Sequence, residues 1–151
     1  MFDGIDPLLT NDDLIRHLQA VQSNLTEGGL YVVDLTHPRD CSSWDYGRFI
    51  FQGERDGAEV KITWATNGPQ FDWQTAVAEV EVRIQERHNG QETTIMDRAM
   101  ERFLDPQAIL LLARVAGPLE VVGWYGAYRL DQPFDGTERS NRMIAVLQNQ
   151  D

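Results

Sequence analysis

The sequence predicts an α/β fold interrupted by an antiparallel β-sheet, a chain that would count as α+β if taken as a fragment. Two observations predict it. Apolar residues recur at helical spacing near both ends of the chain, whereas the middle alternates apolar and polar residues. Between two of the alternating runs lies Asn89-Gly90, a strong signal for a two-residue hairpin. The chain has 151 residues, which suits one domain with room for a core.

Residues 1–10 read as a loop containing Gly4 and Pro7. A helix follows over 11–25. Thr10 or Asn11 can cap it, and Asp12 and Asp13 stand in its first turn, where the helix dipole favours negative charge. Leu14, Ile15, Leu18, Val21 and Leu25 form its apolar stripe, and Gly28-Gly29 ends the unit. The run Leu30-Tyr31-Val32-Val33-Asp34-Leu35 is nearly continuous in apolar residues, which predicts a strand buried on both faces.

From Thr36 to about Phe103 the period is two. Val60, Ile62 and Trp64 alternate with polar residues, as do Val80, Val82 and Ile84. A two-residue turn at Asn89-Gly90 sets Ile84 opposite Ile95, Val80 opposite Ala99 and Glu81 opposite Arg98. An ion pair is expected between Glu81 and Arg98. Asp97 falls opposite Val82 on the apolar face, so either a bulge shifts the register or this carboxylate points at something that needs it.

The α/β pattern then returns. Asp105 caps a helix that Pro106 starts and Gly117 stops, lined by Ile109, Leu110, Leu112, Ala113 and Ala116. This helix is placed to act as a crossover between parallel strands. Leu119 to Trp124 reads as a strand, and residues 142–147 as the last one, after a polar loop through Pro133, Gly136 and Ser140.

Charge and composition exclude several functions. A net charge of −11 makes nucleic acid and anionic membrane surfaces poor partners. No apolar run approaches the roughly 20 residues of a membrane span. One cysteine, Cys41, leaves no intrachain disulfide. With no signal-peptide pattern at the N-terminus, a cytoplasmic location is expected. His17, His37 and His88 are far apart and no CxxC exists, so no metal site is expected. The chain also lacks GxSxG, a Walker loop and GxGxxG.

The candidate functional residues lie where strands end, because ligands of open α/β sheets sit outside the carboxyl ends of the strands. Asp34 and His37 are the catalytic candidates: a carboxylate near a strand end, and an imidazole that titrates near neutrality. Capping and loop packing explain the same two residues. Trp44, Trp124 and Tyr125 are candidate pocket aromatics, the last two within Gly123-Trp124-Tyr125-Gly126. Arg102, Arg129, Arg139 and Arg142 are candidates for an anionic substrate group, and solvated surface is the alternative.

The order of these segments resembles the C-terminal half of class I S-adenosylmethionine-dependent methyltransferases. Met1 to Asp6 resembles the loop after the family's fourth strand, and Asn11 to Leu25 the helix that follows. Thr26-Glu27-Gly28-Gly29 and the run through Asp34 resemble the turn and fifth strand, with Thr-Glu in place of Arg-Pro. Residues 37–103 resemble the antiparallel strands that many small-molecule methyltransferases insert over their substrate. Residues 102–126 resemble the late helix and sixth strand, with Ala-Gly-Pro where Ala-Gly-Phe is usual, and 142–148 the terminal antiparallel strand.

This resemblance implies a partial Rossmann-like sheet made of 1–36 and 104–151, with 37–103 as the cover. It implies a small-molecule methyl acceptor, S-adenosylmethionine as cofactor, and cofactor contacts from Phe2, Asp3 and Ile5. The family's glycine-rich turn and the acidic residue that follows its second strand have no counterpart here. Weak or no cofactor binding by this chain is therefore expected, with the missing part supplied by an N-terminal methyltransferase segment. The alternative is a non-catalytic dimerisation or ligand-binding module derived from the same fold. As an unpaired edge, the strand at 30–35 would favour homo-oligomers, a dimer in the simplest case, with strand or helix exchange. A third reading, an unrelated antiparallel ligand-binding domain, predicts that 106–147 does not form a helix followed by paired strands.

Overall fold

A computed structural model describes residues 4–40 and 48–151 of the chain. Phe2, Asp3, Cys41, Trp44 and Tyr46 lie outside the described residues. Helix α1 (Asn11–Asn24) begins where the sequence places it: the Thr10 hydroxyl accepts from the Asp13 N–H and caps the first turn. Strand β1 (Leu30–Thr36) follows, then a short 3-10 turn over Pro38–Asp40. Four antiparallel strands come next: β2 (Ile50–Arg55), β3 (Ala58–Thr63), β4 (Val77–His88) and β5 (Gln91–Arg102). Helix α2 (Pro106–Ala116), β6 (Leu119–Tyr125) and β7 (Arg142–Asn149) complete the chain. The helix and paired strands over 106–149 overturn the third reading.

The strands form two sheets. One is a meander in the order β2-β3-β4-β5; the other has the order β1-β7-β6, with β7 antiparallel to both neighbours. Thus β1 and β6 run parallel to one another but are separated by β7. The expected crossover helix α2 therefore connects the two sheets rather than two adjacent parallel strands. Helices α1 and α2 pack together over one face of the three-stranded sheet. Leu14, Leu18, Ile109, Leu112 and Ala113 meet Val33, Leu35, Met143, Ala145 and Leu147 there. Full burial of each large aliphatic side chain contributes roughly 1.5–3 kcal/mol.

Strand β1 departs from the expectation of burial on both faces. Val33, Asp34 and Leu35 are buried, but Leu30 and Val32 are exposed on the face away from the helices. The apolar run predicts a doubly covered strand, yet helices cover only one face here. Among the described residues β1 is also an edge, paired only with β7.

The β4–β5 hairpin has the expected register. Ile84 faces Ile95, Val80 faces Ala99, Glu81 faces Arg98 and Val82 faces Asp97, with no shift. Asn89 and Gly90 both have positive φ, 50° and 75°, as a type I′ turn requires. Asp97 needs no bulge: it is exposed, and its Oδ1 accepts from the Arg98 N–H. The expected ion pair is corrected. Arg98 donates to Glu79 at 3.2 Å, two residues along β4 on the same face, while the Glu81 carboxylate accepts from the Thr66 hydroxyl. The bulge lies instead in β6, where the register shifts between Val121 and Gly123.

No described helix is long and apolar enough to cross a membrane.

Candidate functional site

A cavity of about 540 Å³ opens between the two sheets. That volume falls in the range of small-molecule sites. One wall is the inner face of the four-stranded sheet: Phe51 on β2, Ile62 on β3, Trp64 beyond it, and Ala99 and Glu101 on β5. Alternation puts these side chains on one face, because Phe51 pairs with Ile62, Ile62 with Ile84 and Ile84 with Ile95. Phe49 extends the same wall. The opposite wall comes from the strand ends of the other sheet: Thr36 closing β1, Arg142 opening β7, and Asp6-Pro7 from the N-terminal loop.

Three hydrogen bonds from Arg102 hold the walls together. The Arg102 N–H donates to the Asp6 carbonyl at 2.9 Å. The Arg102 guanidinium donates to the Leu9 carbonyl at 3.3 Å and to Asn11 Oδ1 at 2.5 Å. Burial pushes the Arg102 pKa down. Read from sequence as a substrate contact, Arg102 is thus engaged in fixing the four-stranded sheet to the start of α1.

Among the described residues, Arg142 is the cation on the cavity wall. Its Nε donates to Asp34 Oδ1 at 2.8 Å, and both side chains are buried. The Tyr128 hydroxyl donates to the other Asp34 oxygen. Buried ion pairs contribute little net stability, since desolvation offsets the attraction. This one orients Arg142 at the mouth of the strand ends.

His37 is buried, and both ring nitrogens are occupied. Nε2 donates to the Asp135 carbonyl at 3.0 Å, and Nδ1 accepts from the Arg39 N–H at 3.1 Å. A carbonyl only accepts and an amide only donates, so this pattern selects the neutral Nε2–H tautomer. The ring also packs on Phe134, centroids 4.9 Å apart. Trp124 also packs on Phe134, centroids 5.9 Å apart, and both rings lie against the helix-covered core. Tyr125 is half-buried and lies beside Gly123, where a Cβ would come within 3.0 Å of its ring. A side chain at Gly126 would collide with Ser140 and the Pro133 carbonyl. The glycines of this segment thus permit a close approach, but of the chain's own 133–140 loop.

Arg129 pairs with Asp131 at 2.8 Å and raises its own pKa by doing so. Arg139 is exposed. Ile5 is buried in the main core beside Leu14 and Leu104. No group of three metal-ligating side chains occurs among the described residues. Sequence reasoning missed Phe49, Phe51, Thr36 and Glu101 as cavity residues. The alternation that put Trp64 and Ile62 on one face was the signal for Phe51, because the Asp56-Gly57 turn pairs β2 with β3.

An α/β sheet whose strand ends face an antiparallel cover across a cavity defines a class of fold, and that class resembles the C-terminal half of a class I S-adenosylmethionine-dependent methyltransferase. Solved structures of such enzymes superpose on nearly all of the chain. A methyltransferase of Clostridium acetobutylicum ATCC 824 matches 97% of it with a TM-score of 0.69 at 17% identity. CcbJ of Streptomyces caelestis matches 98% at 0.67 and 19% identity. CalS10 of Micromonospora echinaspora, an amino pentose methyltransferase solved with S-adenosylmethionine bound, matches 99% at 0.67 and 14% identity. The chain spans 55%, 59% and 56% of these three chains, little more than half their length. No protein-family model and no curated protein matches the sequence.

Proposed function

We propose that these residues form the substrate side of a small-molecule methyltransferase, with the four-stranded sheet as the cover over the methyl acceptor. The observation that carries this reading is the cavity between strand ends and cover, lined by Phe51, Trp64, Glu101, Thr36 and Arg142. The superposition of nearly all of the chain on a little more than half of two methyltransferases supports it.

S-adenosylmethionine supplies an electrophilic methyl group on a sulfonium when bound. The described residues alone do not fit it. Ile5, a contact the family resemblance implies, is packed in the core, and no glycine-rich turn follows any strand. What the chain contributes in this proposal is orientation and exclusion of water around the acceptor. Asp34 and His37 act as framework: one positions Arg142, the other braces the 133–140 loop. Isothermal titration of the chain with S-adenosylmethionine tests the division of labour. A Kd of about 1 mM or weaker is expected, and micromolar binding would overturn it.

A second reading, self-association, is favoured by one observation. Leu30, Val32 and Val122 are exposed on the sheet face away from the helices, and β1 is an edge among the described residues. A homodimer in light scattering is the expected result. A monomer that persists at high concentration counts against it.

A further inference from the structure

We propose that the cavity between the two sheets takes a flat aromatic body, so that the acceptor is an aromatic compound rather than a sugar. The inference rests on the substrate-side reading above and gives that site a substrate class. Phe49, Phe51 and Trp64 line one wall together with Ile62. Phe51 pairs with Ile62. The Trp64 backbone N–H donates to the Phe49 carbonyl at 2.8 Å, which carries the β2–β3 ladder one pair beyond Ile50 and Thr63. The three rings therefore stand on one sheet face as near neighbours, about 5–8 Å apart. An aromatic ligand laid on such rings, offset or edge to face, gains more than the area it buries.

Trp64 is set in place before any ligand arrives. It packs against the cluster of Ala65, Phe71, Ala78 and Val80, and its indole Nε1–H donates to Glu101 Oε2 at 3.3 Å. A side chain already fixed loses little freedom on binding. The polar part of the wall is engaged as well. Among the described residues, Asp6, Thr36, Glu101 and Arg142 line the cavity, and each already interacts within the chain. Covering a polar group costs most where it is left unsatisfied. An apolar body can therefore cover this wall without leaving any of these residues without a partner. A sugar brings several hydroxyls and would set most of them against rings and aliphatic chains.

Beyond the rings the apolar surface continues. Phe51, Ile62, Ile84 and Ile95 stand directly opposite one another across all four strands. Phe51 is 49% exposed and Ile95 55% exposed, so this row runs from the cavity wall out toward the solvent. A ring system longer than the cavity would extend along it.

Three probes test the assignment: naphthol, its saturated analogue decahydronaphthol, and methyl glucoside, titrated into the full chain at neutral pH without S-adenosylmethionine. Calorimetry gives affinity, and the Trp64 indole N–H resonance, assigned by its loss in Trp64→Phe, reports the place. Naphthol is expected to shift that resonance and to bind about fivefold more tightly than decahydronaphthol, the worth of ring contacts beyond the area buried. The glucoside is expected not to bind. Phe51→Leu keeps the apolar bulk and removes the ring, so it should reduce the preference for naphthol to about twofold while decahydronaphthol still binds. Gln52→Ala, exposed on the opposite face of β2, should leave both affinities unchanged. Equal binding of the two bicycles, a glucoside that binds as tightly as naphthol, no binding at millimolar concentration, or binding that leaves the Trp64 resonance in place would each overturn the proposal. So would a preference for naphthol that survives Phe51→Leu in full, or a loss in Gln52→Ala as large as that in Phe51→Leu. Naphthol binding together with micromolar binding of S-adenosylmethionine would leave this assignment standing and remove the division of labour proposed above. Weak S-adenosylmethionine binding with no naphthol binding would remove this assignment alone.

Discussion

The two sheets of this molecule are built on different terms. In the three-stranded sheet, Leu147 is 0% exposed, and Met143 and Ala145 are 1% exposed, under two helices. In the four-stranded sheet every residue of β2 is exposed, and so is β5 from Gln91 to Arg98. Burial there is concentrated toward one end: Val80 and Ala78 pack with Ala65 and Phe71, and Thr63 and Val82 are also buried. The first sheet is held by long-range packing, the second by cross-strand bonds, two tight turns and its anchorage at Arg102. A region of few buried contacts opens at lower free energy than a core. The four-stranded sheet is thus the part held by fewer buried contacts, and the helix-covered core is the part that fixes where the strand ends point.

The sharpest way to break this comparison is to remove one large apolar side chain from each sheet. Leu147→Ala leaves a cavity among Leu14, Val33 and Leu112 and should cost about 3 kcal/mol of unfolding free energy. Ile95→Ala, at the half-exposed tip of the apolar row, should cost less than about 1 kcal/mol. Urea unfolding of both variants measures the difference. Equal losses would mean that the cover is packed as tightly as the core.

The same contrast explains what was legible in the sequence. Helix caps and hairpin chemistry are local, and both could be read: Thr10, Asp105, Pro106 and Gly117 bound their helices, and Asn89-Gly90 set a register that holds along all of β4 and β5. Burial is not local. The apolar run at 30–35 says nothing about which faces find a partner, and here Leu30 and Val32 stay exposed while Asp34, on the same face, is buried against Arg142 and Tyr128. The site was hardest to read. Trp124 is an aromatic beside a glycine at a strand end, yet packing with Phe134 draws it into the core. Phe51 and Glu101 look unremarkable in sequence and reach the cavity only through the pairing of β2 with β3 and β4 with β5. Arg142 and Asp34 are 108 residues apart and meet because Thr36 pairs with Arg142 at the end of the β1–β7 ladder.

Acid should weaken each region at one identifiable carboxylate. Asp13 in the first turn of α1 accepts from the Thr10 hydroxyl and from Arg16, and these bonds hold its pKa below the ordinary 3.8. Asp72, in the loop against the base of the cover, accepts from the Thr75 N–H and hydroxyl and from the Gln74 N–H, with the same direction of shift. A carboxyl whose folded pKa is depressed stabilises the fold fully above its unfolded value, and loses that contribution as pH falls through the folded value. Both contributions should therefore disappear below pH 3.8. Amide exchange followed from pH 5 to pH 3 should show the 72–77 loop and the start of α1 losing protection, and Asp72→Asn should remove the pH dependence of the loop alone.

The smallest effect concerns backbone strain in the cover. Ala76 has φ of 57°, in the left-handed region that alanine adopts at a cost, and its carbonyl accepts from the Phe103 N–H where β4 begins. Gly carries no Cβ penalty there, but it also enlarges the unfolded ensemble, and the two effects oppose each other at about 0.5–1 kcal/mol each. Ala76→Gly should therefore change stability by less than about 0.5 kcal/mol. Ala20→Gly, at an exposed position inside α1, has no strain to relieve and should cost about 1 kcal/mol. Thermal unfolding of the pair separates them. A loss at position 76 as large as that at position 20 would mean that the Ala76 methyl group packs at the base of the cover and that the strain is offset by contact, so the anchorage there would be tighter than the exposure of the sheet suggests.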